Sequence, residues 1–246
     1  AAKIFRPESF AEINGNDYMA VTDRLVGFSA SGLTGVWAAQ NTREEIYDAF
    51  KRKETFATSG PRIKVRFFSG YDFEDSDIND LDLIKKAYEG NLSMGSTISI
   101  EQAKEPKFLV WAFADPLGAP LQRIQIIKGW LENGEPQEMV YDIACSDGLI
   151  VNSSTHRCPD NGAKVDIANC SISENSGATE LKTFWQDPDF LENQEAFYYV
   201  RVLENPVCRW STWDSIRASV VPRSDIPATI QERAWTSPIW FEPTKS

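Results

Sequence analysis

The spacing of apolar residues changes several times along the chain, and each change marks an element. Ile63, Val65 and Phe67 alternate with Lys64 and Arg66, so Glu54–Phe68 reads as a strand, a Gly60-Pro61 corner and a second, half-buried strand. Just upstream, Thr42 and Glu45 form a T-x-x-E capping box. Ile46, Ala49 and Phe50 then share one face of a helix running through Lys53. Residues 1–40 are mixed and end in the small-residue run Ser29–Ala39. Residues 70–105 are acidic and irregular, with a short helix predicted near Leu81–Tyr88. From Lys107 the pattern becomes that of antiparallel strands: Phe108–Ala114, the turn Asp115-Pro116-Leu117-Gly118, Leu121–Leu131 and Gln137–Ala144. Asn133-Gly134 joins the last two, a dipeptide that suits a two-residue hairpin because both residues accept positive φ. Further strands are predicted at Ala163–Ala168, Glu180–Trp185 and Ala196–Leu203. Ser211 and Asp214 form a second capping box, opening a short helix with Trp213, Ile216 and Val220 on one face. Thr236–Phe241 reads as an edge strand beside a proline.

This order of elements predicts an α+β fold that is mostly antiparallel β. A β-sandwich-like domain (69–246) is preceded by the closing helix and strand of an upstream α/β domain (1–68).

Composition narrows the function. Apolar residues make up 42% and charged residues 25% of the 246, which excludes a disordered chain. Thirty-six Asp and Glu against 25 Lys and Arg give a net charge of −11, a surface that repels nucleic acid and anionic membranes overall. No apolar run reaches the ~18 residues of a membrane span. The chain opens AAKIFRPESF, without an initiator Met or an apolar signal core, so a removed leader or a start partway through a longer protein is expected. Sequons occur at Asn91, Asn152 and Asn169.

His156 is the single histidine, so no multi-histidine metal site can be built from this chain alone. It sits in SSTHRC, a polar loop in which a surface histidine is the plainer reading than a member of a triad. Cys145, Cys158, Cys170 and Cys208 contain no C-x-x-C pair, which speaks against structural zinc and for disulfides in an extracytoplasmic compartment. Of the three pairings, Cys145–Cys158 with Cys170–Cys208 is predicted, because the first closes a surface loop after the strand Gln137–Ala144 and the second ties two strand ends together. Cys158–Cys170 with Cys145–Cys208 joins loops instead.

Three clusters invite a chemical reading. In DFEDSDINDLD, Asp75, Asp77 and Asn79 fit the first positions of an EF-hand, but Asp80 replaces the required Gly and Lys86 the required Glu. A solvated acidic loop fits better. No G-x-S-x-G elbow, Walker A sequence or G-x-G-x-x-G turn is present. CRWSTWD followed by QERAWTSPIW places Arg209, Trp210, Trp213, Arg233 and Trp235 in two nearby stretches. Together they could form a guanidinium-and-aromatic wall for an anion or sugar. The alternative is that the tryptophans pack one end of the sandwich while the arginines pair with Glu232 and Asp214.

Gly32–Phe68, LQRIQIIKGW, the span from WQDPDF to AFYYVRVLENPVCRWSTWD, and TIQERAWTSPIW resemble a large bacterial family catalogued only as a domain of unknown function. That family looks related to the PHP (polymerase and histidinol phosphatase) metal-dependent phosphoesterases. The resemblance implies a periplasmic or secreted protein with an upstream PHP-like domain whose D-L-H-x-H, T-D-H and S-D-x-H motifs hold a divalent metal (Zn, Mn or Fe). None of those motifs occurs here, so no cofactor is expected in this chain. The implied function is the C-terminal portion of a metal-dependent hydrolase acting on a small phosphoester-type anion, with its upstream domain as partner. A different class remains open, a non-enzymatic β-sandwich module binding carbohydrate or protein. The resemblance also puts Arg62, at the Thr58-Ser59-Gly60-Pro61 corner, and Arg209–Trp213 near the interface with the metal domain.

Overall fold

Two sheets lie face to face because the alternating strands each turn one apolar row inward. The structure is a computed structural model describing residues 10–13, 16–19, 31–90, 92–100 and 104–243. In chain order, the first strands are β1 (Phe10–Ile13), β2 (Asn16–Met19) and β3 (Leu33–Val36), followed by helix α1 (Arg43–Lys51). Then come β4 (Thr55–Thr58), β5 (Lys64–Gly70), a 3-10 turn (Asp75–Asn79) and α2 (Leu83–Gly90). Next are β6 (Leu92–Ser93), β7 (Thr97–Ile100), β8 (Lys107–Phe113), β9 (Leu121–Glu132) and β10 (Glu135–Cys145). After these come β11 (Val165–Asp166), β12 (Ser171–Ile172), β13 (Glu180–Gln186), β14 (Ala196–Glu204) and β15 (Val207–Cys208). The chain finishes with α3 (Trp210–Ala218), β16 (Thr229–Ile230), β17 (Arg233–Thr236) and β18 (Ile239–Pro243).

The large sheet runs β10-β9-β14-β17-β4-β3, with β18 on β14 and β7 on β18. The small sheet runs β13-β8-β5-β6. The pairs within these sheets are antiparallel apart from β18 with β7. Val65, Phe67, Phe108, Val110 and Ala112 of the small sheet meet Ile124, Ile126, Tyr198, Val200 and Phe241 of the large one. Phe108 sits at the centre, its ring 4.7 Å from Tyr198 and 5.7 Å from Phe241. On the opposite pleat, Phe68 and Leu109 pack against Phe73, Leu83 and Ala87, so α2 covers part of the small sheet's outer face. The α+β, mostly antiparallel architecture expected from the sequence is thus present.

The expected boundary at residue 68 falls inside β5, which pairs with β8. β3 and β4 join the large sheet through β17. The first part of the N-terminal segment, residues 1–9, lies outside the described residues, as does the Asn91 sequon.

Several elements differ from their sequence reading for identifiable reasons. Helix α1 keeps its Thr42 cap, which accepts from the Glu45 amide at 3.3 Å, but stops at Lys51 because Lys53 turns to φ 58°. Ala49 is fully buried whereas Phe50 is half exposed, so the buried face is narrower than predicted. The 70–105 stretch also carries β6 and β7. The strand predicted at Ala163–Ala168 shrinks to the two residues of β11. Asp166 accepts from the Ala168 amide with its side chain and from the Cys170 amide with its carbonyl, so those backbone groups leave the ladder. Helix α3 begins at Trp210 rather than after Ser211, because Arg209 is its N-cap and the Arg209 carbonyl accepts from the Thr212 and Trp213 amides. Thr236–Phe241 is not an edge strand: Ser237-Pro238 splits it into β17 and β18, and β18 pairs with both β14 and β7.

The disulfides are Cys145–Cys158, which joins the end of β10 to the loop that follows it, and Cys170–Cys208, which joins the residue before β12 to the end of β15. Such bridges fit an oxidising compartment. No helix of the described residues is long and apolar enough to cross a membrane.

Candidate functional site at one end of the sandwich

Strand β4 ends at Thr58, and Gly60 takes φ 149° so that the chain can turn into Pro61 and Arg62. Ser59 fastens this corner to β17. Its amide donates to the Arg233 carbonyl at 2.9 Å, and its hydroxyl oxygen accepts from the Arg233 amide at 2.8 Å. The same hydroxyl donates to the Glu232 carboxylate in a short hydrogen bond. The Glu232 carbonyl in turn accepts from the Glu204 amide at 3.0 Å, at the end of β14. Gln231 Nε2 donates to the Glu204 carbonyl (3.2 Å) and to Gln122 Oε1 (3.0 Å), which brings in the start of β9.

The Asp115–Gly118 turn closes the same end. Gly118 donates its amide to the Asp115 carbonyl at 2.9 Å, as the sequence pattern predicts. The Asp115 carboxylate accepts from the Arg62 amide at 2.7 Å and the Leu117 amide at 2.9 Å. These two amides hold its carboxyl below the usual carboxylate range.

Glu204 is the unusual group. It is 1% exposed, and its Oε1 has no hydrogen-bond partner among the described residues. Burial pushes its carboxyl up to about 8, against the pull of a hydrogen bond from the Ala119 amide. The nearby Glu232 and Asp115 charges push it further the same way. A Cβ on Gly118 would lie 2.9 Å from that Oε1, so glycine leaves the turn room to close over the carboxyl. Burial thus favours the neutral carboxyl over the anion here.

The residues singled out from the sequence lie on two elements, the β4–β17 corner and the head of α3. Arg62 and Arg233 flank Ser59. The Arg62 side chain is exposed, and Arg233 donates its Nε to the Gln231 carbonyl at 3.1 Å with its guanidinium 5.9 Å from the Trp235 ring. Arg209, Trp210 and Trp213 belong to the head of α3, which β15, β16 and the Cys170–Cys208 bridge tie down. Arg209 is buried and Trp213 is 39% exposed. Glu232 serves the Ser59 hydroxyl, and Asp214 lies 3.4 Å from Arg217, whose guanidinium also sits over Trp213. His156 is half-buried, edge-on to Tyr141 at 5.1 Å.

The acidic loop is answered by lysines. Lys86, the residue that breaks the EF-hand pattern, bridges Asp77 (2.9 Å) and Asp80 (2.6 Å), and Lys107 reaches Asp75 at 2.9 Å. Among the described residues, no group of three or more His, Cys, Asp and Glu side chains is placed to hold a metal ion.

Next to the Asp115 turn, a groove of about 740 Å³ opens on the outer face of the small sheet, with Trp37, Arg66, Trp111 and Phe113 among its walls. Sequence reasoning missed this groove and Glu204. The alternation of Lys64 and Arg66 with core residues, and the Trp within FLVWAF, were the available signals for the groove.

A family model described as "Protein of unknown function (DUF3604)" matches residues 6–243. No curated protein and no solved structure matches the chain.

Proposed function

The chain belongs to the family of that model, and on this premise we propose that it is the β-sandwich portion of an extracytoplasmic, PHP-like metal-dependent hydrolase. Its substrate class is a small phosphoester-type anion. The divalent metal (Zn, Mn or Fe) is held by a PHP-like domain upstream in the same protein, where it would supply activated water and polarise the ester. Residues 1–68 then carry the chain from that domain into the sandwich, in a periplasmic or secreted protein. The two disulfides support that location.

One observation carries the reading. The stretches that resemble the PHP-related family converge on one end of the molecule. Ser59 is bonded to Arg233, Glu204 to Glu232, and Gln122 to Gln231, each pair joining two of those stretches. Arg62 and the Asp115 turn complete this end, and we assign it to the side that faces the metal domain.

Metal analysis of the longest natural form, together with assays on p-nitrophenyl phosphate esters, tests the proposal. A bound transition metal with ester hydrolysis that a chelator abolishes is expected. A metal-free, inactive preparation of that form would sink it.

A further inference from the structure

The pairing register sets two rungs side by side on the outer face of the small sheet. Arg66 of β5 stands opposite Trp111 of β8, which stands opposite Lys182 of β13. In the neighbouring rung Lys64, Phe113 and Glu180 line up in the same way. Val65, Phe67, Val110 and Ala112 fill the core, so the pleat turns these six side chains outward.

Rings and cations alternate across this face. Trp111 and Phe113 have ring centroids 5.1 Å apart. The Arg66 guanidinium sits 3.6 Å from the Trp37 ring, and Lys182 Nζ sits 4.6 Å from the Trp111 ring. Arg66 also donates to the Tyr88 hydroxyl at 3.0 Å, which fixes its plane. The two carboxylates beside the groove are engaged by the protein itself. Glu180 accepts from the Trp111 indole at 2.8 Å, and Asp115 accepts the Arg62 and Leu117 amides. Lys64 and Arg66 in the groove, with Lys182 beside Trp111, place three cations on this face against the carboxylates of Glu180 and Asp115, on a protein of net charge −11.

We propose that this groove binds an acidic saccharide, a chain of pyranose rings bearing carboxylates. The apolar faces of the sugar would lie on Trp111 and Phe113, and a uronate carboxylate would meet Lys64, Arg66 or Lys182. A single-stranded nucleic acid also suits rings and cations. Its phosphate chain, however, would have to continue beyond the patch over a surface that is anionic overall. A short acidic glycan needs only the local patch. This inference does not rest on the hydrolase reading, because it uses no metal, although the groove borders the Asp115 turn of the end described above.

Affinity electrophoresis of the full chain through gels containing polygalacturonate, neutral laminarin or poly(U) tests it. Retardation by polygalacturonate alone is expected, weakened at least tenfold by Trp111→Ala and by the surface change Lys64→Glu, and reduced by 0.5 M salt. Trp240→Ala, on the other sheet, should leave it unchanged, and circular dichroism of each variant checks folding. Migration unaffected by polygalacturonate overturns the proposal. So does equal retardation by laminarin, stronger retardation by poly(U), or equal loss in Trp240→Ala.

Discussion

Ser59 and Arg233, 174 positions apart in sequence, hold each other by two hydrogen bonds that extend the β4–β17 pairing past the end of the strand. The serine hydroxyl also reaches Glu232, so a single side chain fastens the corner leaving β4 to β17. Ser59→Ala leaves the Arg233 amide and the Glu232 carboxylate without this partner. A loss of about 1–3 kcal/mol is expected by denaturant unfolding, with the slope of the transition unchanged. An unaltered midpoint would show that the corner is held by its backbone alone.

Glu204 makes stability depend on pH in an unusual direction. Its carboxyl is raised from an ordinary 4.5 to about 8, so between those values the folded chain binds a proton that the unfolded chain has lost. The contribution is therefore fully present below about 4.5, declines as pH rises, and is gone above about 8. Glu204→Gln removes this titration. The variant should lose ground to the wild type least, or overtake it, at pH 8.5, and compare least favourably at pH 5. Thermal melts of both proteins across that range measure it, and parallel curves would refute the buried neutral acid.

How much of this was legible depends on how local the signal is. The β9–β10 hairpin could be read directly, because Asn133 and Gly134 adopt the positive φ values of 53° and 83° that the dipeptide announces. The Thr42 cap was equally local. Glu204 left a fainter trace. In AFYYVRVLE it follows Tyr198, Val200 and Val202 on the inward row, so alternation alone aims a carboxyl at the core. The outward alternation of Lys64 was visible, but its alignment with Phe113 and Glu180 was not, since that rung exists only once β5, β8 and β13 pair in register across more than a hundred residues. The reading of Thr236–Phe241 failed for the same reason: the partnership of β18 with β7 is long-range and parallel.

The two disulfides should contribute unequally. Cys145–Cys158 spans 13 positions and Cys170–Cys208 spans 38, which corresponds to about 3 and about 4 kcal/mol in the chain-entropy model. Paired Cys→Ser variants should lower Tm by roughly 2–4 °C per kcal/mol, the Cys170/Cys208 pair more than the other. Non-reducing peptide mapping should recover the two bridged peptides. A Cys158–Cys170 peptide, or no change in Tm on reduction, would contradict the arrangement.

Lys128 and Asp187 form a buried pair between the sheets, 2% and 4% exposed, with Nζ 2.6 Å from Oδ2. The surroundings answer most of what both charges require. Lys128 donates a second hydrogen bond to the Asp189 carbonyl at 2.7 Å, and Asp187 also accepts from the Tyr198 hydroxyl (2.7 Å) and the Asp189 amide (2.9 Å). Burial and the Asp187 charge hold the Tyr198 phenol well above its ordinary range, so it stays a donor to this carboxylate. Asp187→Asn strands the ammonium in the core, and Lys128→Met strands the carboxylate. Each should cost about 3–5 kcal/mol because an uncompensated buried charge remains. The double variant leaves no charge behind, so it should cost clearly less than the two single changes added together. Urea unfolding of all four proteins closes the cycle. Additivity within about 0.5 kcal/mol would mean that the two side chains do not stabilise each other, and the network would then owe its order to Tyr198 and the backbone of Asp189.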